Sequence, residues 1–271
     1  MSITKGQPDT LIEKVIKSGK FKVKSRDIVY LKDISIGDYV SAYSLKDAAL
    51  CNKEVLDISS SYYDGEIIEV NINNIINSYI SNHECLVRYR DRSNDYCVYI
   101  MRKGTAYRVG MSKMWHEDNG CGPYKRLSDE EGDELWILDT FDSRRKALLE
   151  EAKVSIRFRI PQTMFTFKES RGLWTQEELD YVWSQISNQE DAERVLISYG
   201  RDIKYPYFNR SKNHNSIKRP HKVNACNILR GSEMYVKDLK WVPINISRSS
   251  YTGNIYSLMV DGNYFTNTIL T

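Results

Sequence analysis

Polar and apolar residues alternate with a period of two over much of the first ninety positions, the spacing of strands with one buried face. Phe21-Lys22-Val23-Lys24 alternates, Asp27 to Tyr30 follows, and ISIGDYVSAY (34–43) sets a Gly37-Asp38 turn between two short apolar runs. GEIIEVNI (65–72) and CLVRY (85–89) continue the pattern. From about Tyr96 to Ile203 the pattern is mixed. It predicts a hairpin around Lys103-Gly104, a strand from Glu134 to Asp139 and a helix from near Ser143 through ALLEEAKVSI. A second helix is predicted at WTQEELDYVWSQI (174–186), where Thr175 and Glu178 have capping-box spacing and Leu179, Val182, Trp183 and Ile186 share a face. Short strand patterns return in VKDLKWVPINI and GNIYSLMV. The chain restarts at Asp95, and the order β, then α/β, then β suits one domain inserted in another better than two in tandem.

With 271 residues, 41% of them hydrophobic, the chain is long enough for one large or two ordinary domains. No stretch approaches the ~20 apolar residues of a spanning helix, and MSITKGQPDT has no signal-peptide core, so a cytoplasmic protein with no membrane partner is expected. The five cysteines include no CxxC pair, which argues against a disulfide framework or a zinc site. His116, and His214 with His221, match no metal-ligand spacing and are read as loop residues.

The net charge of +3 is too small to imply nucleic acid by itself, but its distribution is uneven. One basic run spans Lys14 to Arg26. The other, RSKNHNSIKRPHK (210–222), combines Arg210, Lys212, Lys218, Arg219 and Lys222 with Asn, Ser and His donors, directly after the aromatic stretch YPYF. This second run is the candidate contact to double-stranded DNA, with Tyr205, Tyr207 and Phe208 available for packing or base stacking. The alternative is a solvated loop.

Three blocks at the two ends, ISIGDYVSAY, ISNHECLVRY and YTGNIYSLMVDGNYFTNTILT, resemble the Hint fold of inteins and hedgehog autoprocessing proteins. Gly253 to Thr271 follows the intein pattern GxVYxLxVxxxxxFxxxxILTHN as far as ILT. The resemblance implies a mainly β horseshoe, discontinuous in sequence, that performs autocatalytic protein splicing. In that chemistry Ser2 is the nucleophile that attacks the preceding carbonyl. His83 protonates the departing backbone nitrogen, Asn82 holds the strained peptide, and the flanking extein host protein is the partner. This chain departs from the pattern at several points. Ser2 stands where cysteine is common, Ile80 stands for a threonine, Ser257 stands for an aspartate, and no His-Asn follows Thr271. The implied body is disabled for splicing.

CVYIMRKGTAYRVGMSK (97–113) resembles a diverged GIY-YIG hairpin, in which Tyr107 lies one residue from the family position and Arg108 fills the slot. GPYKRL supplies Arg126, and ELWILDTFDSRRKALLEEA supplies a strand and a helix bearing Glu151. A similar insertion occurs in inteins of phage terminase large subunits, and SIRFRIPQ fits its end. The resemblance implies an α/β homing endonuclease. Mg2+ or another divalent cation would be held by Glu151, Arg126 would grip the scissile phosphate, Tyr99 would orient or deprotonate the attacking water, and Tyr107 would be a further catalytic residue. The expected organisation is a Hint part at 1–94, a GIY-YIG-like domain at 95–170, a helical and basic linker at 171–224 and a second Hint part at 225–271, in a monomer. The rival reading is a non-catalytic DNA-binding or structural remnant.

Overall fold

The computed structural model describes residues 2–6, 10–18, 22–44, 49–90, 95–116, 120–166, 174–210, 220–237, 240–261, 263–266 and 269–270. Its strands are β1 (Ser2–Gly6), β2 (Leu11–Ser18), β3 (Lys22–Tyr30), β4 (Tyr39–Ser44), β5 (Ala49–Ile72), β6 (Ile75–Ile80), β7 (Glu84–Tyr89), β8 (Tyr96–Lys103), β9 (Ala106–Lys113), β10 (Trp115–His116), β11 (Gly120–Cys121), β12 (Glu134–Phe141), β13 (Phe208–Asn209), β14 (His221–Asn224), β15 (Ser232–Val236), β16 (Lys240–Pro243), β17 (Asn245–Val260), β18 (Asn263–Thr266) and β19 (Ile269–Leu270). Its helices are α1 (Gly122–Asp129), α2 (Arg144–Phe158), α3 (Gln176–Ser184) and α4 (Gln189–Ser198). The protein is thus mostly β with few helices, and no described helix is long and apolar enough to cross a membrane.

The chain divides into two compact units, one made of Met1–Arg90 with Pro220–Thr271 and the other of Asp91–Arg219. In unit one, thirteen of the described strands form a single antiparallel sheet. Its spine is the long pair β5 and β17, in register from Asn245 opposite Asn71 to Met259 opposite Asp57, with a bulge before Val260 opposite Val55. β5 serves three partners along its length, β4 at its start, β17 through its middle and β6 at its end. The predicted turn at Gly37 forms with φ +86°, a left-handed conformation that glycine adopts at little cost, and Asp38 closes it by accepting from the Ser35 N–H at 2.8 Å. Ile12, Leu31, Val40, Val55, Leu258 and Tyr264 bury themselves beneath this sheet. The two stretches of unit one join through β7, which pairs with β14 (Val87 opposite His221) and with β15 (Tyr89 opposite Ser232).

Unit two is a four-stranded antiparallel sheet in the order β13-β12-β8-β9. The β8–β9 hairpin turns at Gly104, whose φ is +59°. Alternation splits its residues between two faces. Val98, Ile100, Tyr107, Val109, Trp136 and Leu138 pack against Ala147 and Val154 of α2 and Ala192, Val195 and Leu196 of α4. Tyr99, Met101, Arg108 and Gly110 are the intervening positions. α2 starts at Ser143, whose hydroxyl accepts from the Lys146 N–H, and α3 starts at the Thr175–Glu178 capping box expected from the sequence.

Candidate functional site

The face of the unit-two sheet that carries Tyr99 is polar and enclosed. Tyr99 lies opposite Gly110, and its ring occupies the space a side chain there would need: a Cβ on Gly110 would sit 2.6 Å from the ring carbon Cζ and from the hydroxyl oxygen. Arg108, two residues before Gly110, is 4% exposed and donates from Nη1 to both Glu130 carboxylate oxygens at 2.8 Å. The same nitrogen donates to the Tyr99 hydroxyl at 3.4 Å, and Nη2 donates to the Gln162 carbonyl at 3.0 Å. Glu130 also accepts from the Phe165 N–H at 3.2 Å. Burial pushes the Tyr99 hydroxyl up to about 12, more than the cations Arg108 and Arg126 bring it down.

Glu151 reaches this face from α2 by way of the sheet edge. β9 is an outer strand, so the N–H groups of alternate residues have no strand partner. The Tyr107 N–H is taken by the Asn188 side chain at 2.8 Å and the Val109 N–H by the Pro161 carbonyl at 2.9 Å. The Met111 N–H goes to the Glu151 carboxylate. Burial raises Glu151 above the ordinary carboxylate range, while Arg108, the Met111 N–H and Arg126 act against that shift. Arg126, on α1 and partly exposed, therefore acts electrostatically on both Tyr99 and Glu151. Of the three residues expected from the sequence, Arg126 is thus within electrostatic reach of both Tyr99 and Glu151. Tyr107 does not join them, because it lies on the opposite face in the apolar cluster, 6.1 Å from Trp136 by ring centroids. Lys113, Arg126 and Lys125 add to burial in lowering the His116 pKa, so this corner is rich in positive charge.

In unit one His83 is 2% exposed, and its ring stacks on Tyr79 at 4.6 Å and 5°. Its backbone is held on both sides, the N–H donating to Ile80 and the carbonyl accepting from Ala225 at 2.7 Å. Behind Tyr79, Asn77 donates to the Tyr79 hydroxyl at 2.8 Å and to the Thr266 carbonyl and hydroxyl at 2.8 and 2.9 Å. This tie between β6 and β18 is absent from any local pattern, as is the Arg108–Glu130 pair. Asn82 is exposed, with its carbonyl accepting from Asn224. Ser2, described through its backbone, pairs with Val260, and β1 also runs beside β6 and β7, the strands that flank His83.

The DNA-binding run is only partly within the described residues, since Lys212, Lys218 and Arg219 lie outside them. Arg210 belongs to unit two and donates to the Glu131 carbonyl at 3.2 Å, whereas Lys222 belongs to unit one and pairs with Glu84 at 3.2 Å. Tyr207 and Phe208 are not free to stack on bases, because both are buried and pack on each other at 4.8 Å. Among the described residues no group of three or more His, Cys, Asp or Glu is placed to hold a metal ion.

No protein-family model matches the chain, and no curated protein matches it. Among solved structures it is similar to the solution structure of a bacterial intein-like domain from Clostridium thermocellum, at a TM-score of 0.38 and 8% identity over 98% of this chain and 99% of that one. A superposition at that score does not define a shared fold.

Proposed function

We propose that unit one is an autoprocessing domain of the Hint kind and that unit two, nested in it, is a metal-dependent DNA endonuclease of the GIY-YIG kind. The reading of unit two is carried by one observation: Tyr99 packed on Gly110, with Arg126 and Glu151 acting on the same enclosed corner. Arg126 would bind the scissile phosphate as a charge-assisted donor. Glu151, oriented by the Met111 N–H, is a single carboxylate, a donor set that fits a hard cation taking most of its ligands from water and phosphate, such as Mg2+. A cation bound there supplies neutralisation of charge on the leaving oxygen. The test is Mg2+-dependent nicking of duplex DNA, which R126A and E151Q should abolish; nicking unchanged in both variants would remove the assignment.

The reading of unit one is supported by β1, which brings the Ser2 backbone into the sheet beside the strands flanking His83. His83, held by its backbone and by Tyr79, suits a general acid at a nearby peptide. In this reading Ser2 takes the position of the nucleophile. Placing Cys at Ser2 and His-Asn-Cys after Thr271, between two reporter proteins, should yield at least terminal cleavage on a gel. Intact precursor after long incubation would count against the Hint assignment.

A further inference from the structure

Two hydrogen bonds fix the backbone of His83, its N–H donating to the Ile80 carbonyl at 3.0 Å and its carbonyl accepting from the Ala225 N–H at 2.7 Å. A fixed backbone still leaves an imidazole its side-chain torsions. The Tyr79 ring, stacked on it at 4.6 Å and 5°, restricts them. Tyr79 is held in turn at its hydroxyl. The Asn77 amide donates to that hydroxyl at 2.8 Å and to the Thr266 carbonyl and hydroxyl at 2.8 and 2.9 Å, and the Tyr79 and Thr266 hydroxyls bond each other. Asn77, Tyr79, His83 and Thr266 are each 2% exposed or less. Polar groups so buried keep their geometry, because water does not replace a lost partner there. β6, which carries Asn77 and Tyr79, is laddered to β5, whereas β18, which carries Thr266, is laddered to β2, β4 and β19. Among the described residues, side chains and not a shared ladder therefore tie the His83 corner to the C-terminal block.

We propose that Tyr79 is a positioning residue that holds the His83 imidazole in its working orientation, and that Asn77, by joining Tyr79 to Thr266, makes a seated β18 the condition for that orientation. This rests on the autoprocessing reading of unit one. In that step the nucleophile at position 2 adds to the carbonyl before it and the C–N bond breaks. The departing nitrogen takes the proton that His83 gives, and the nucleophile's own proton passes to water. With β18 unseated, Asn77 and Tyr79 lose their bonds to Thr266, and His83 loses a fixed face to pack on. The first bond then breaks readily only in a chain whose last strands have folded.

The test uses the full chain carrying S2C, with a reporter protein fused ahead of position 2 and dithiothreitol to cleave the thioester and release the reporter. Y79L, which removes ring and hydroxyl, should slow release about 100-fold, the cost of a misplaced reacting group. Y79F and T266V keep the stacked ring but loosen its tether, so their rates should fall between parent and Y79L. In an H83Q background Y79L should cost nothing further, whereas a tyrosine that only supports the fold would cost the same with or without the histidine. Y79F takes its place in that comparison if Y79L does not fold. In the chain labelled with 13C-histidine, the His83 Cε1–H signal, assigned by its loss in H83Q, should lie upfield in the Tyr79 ring current. It should shift in T266V and lose its upfield displacement in Y79L. A His83 signal unmoved by T266V and Y79L, or a tyrosine defect undiminished in H83Q, would overturn the proposal while reporter release still supported the autoprocessing reading. No release from the S2C parent would reject that reading, and the proposal with it.

Discussion

At the scale of single residues, the unit-two site sets stability against function. Glu151 has its pKa raised chiefly by burial, so at neutral pH its charged form costs folding free energy that the nearby cations only partly offset. The sign follows from linkage: a carboxylate whose folded pKa lies above its unfolded value favours the folded state most at low pH, and that contribution is lost as pH rises through the folded pKa. E151Q keeps an acceptor for the Met111 N–H without the charge. Its Tm should exceed that of the wild type near pH 7, the difference should shrink as pH falls to about 4, and nicking should be lost. Thermal melts across that range check it, and a wild type more stable than E151Q at pH 7 would show that the cations outweigh burial. Gly110 gives a second residue-scale prediction. Alanine there meets the Tyr99 ring at 2.6 Å, so G110A should cost about 1–3 kcal/mol, as overpacking does, and should displace the phenol from Arg108. A chemical-denaturation midpoint unchanged from wild type would contradict it.

At the scale of elements, local chemistry was readable and long-range pairing was not. The capping box of α3, the helix starting at Ser143 and the hairpin turning at Gly104 each carry their signal within a few residues. β5 is different. Its middle, Ser59-Ser60-Ser61-Tyr62-Tyr63-Asp64-Gly65, has no apolar alternation, and the stretch is extended because β17 pairs with it residue for residue. The same limit hid the partners of Arg108, Asn77 and Tyr107, which lie 22, 189 and 81 positions away. Tyr107 could have been separated from the site by period two alone, since a residue adjacent to Arg108 in a strand faces the other way. Asn188 exemplifies an element-scale device. Its amide donates to the Tyr107 carbonyl and accepts from the Tyr107 N–H, both at 2.8 Å, taking the place of a further strand at the β9 edge. N188A should leave both buried backbone groups without partners and cost about 1–3 kcal/mol each at most. Hydrogen exchange of the Tyr107 amide should accelerate well beyond that of Ile100, and equal protection in the variant would mean that water replaces the amide.

At the scale of the whole molecule, the division into Met1–Arg90 with Pro220–Thr271, and Asp91–Arg219, has a thermodynamic consequence. Each unit holds a separate buried apolar cluster, around Leu31, Val40 and Leu258 in the first and around Ile100, Trp136 and Val195 in the second. The strands at the junction are already neighbours. Val87 lies opposite His221 in an antiparallel pair, and the Arg90 N–H donates to the Gly231 carbonyl at 3.0 Å. Replacing residues 91–219 by a few Gly and Ser would turn β7 and β14 into an ordinary hairpin, whose connection needs only about 3–5 residues. The entropy of closing so short a loop is smaller than that of spanning the natural insertion, since the cost rises with loop length. The shortened chain should therefore fold as a β-protein with dispersed amide resonances and a cooperative melt, with Val87 and Met234 still paired across β7 and β15. The excised segment should fold by itself, because its sheet order closes within β8, β9, β12 and β13. If the shortened chain is unfolded by circular dichroism while the intact protein melts in one transition, the two units are not independent folding units. In that case β7 would need the natural insertion, and not merely a connection, to meet β14.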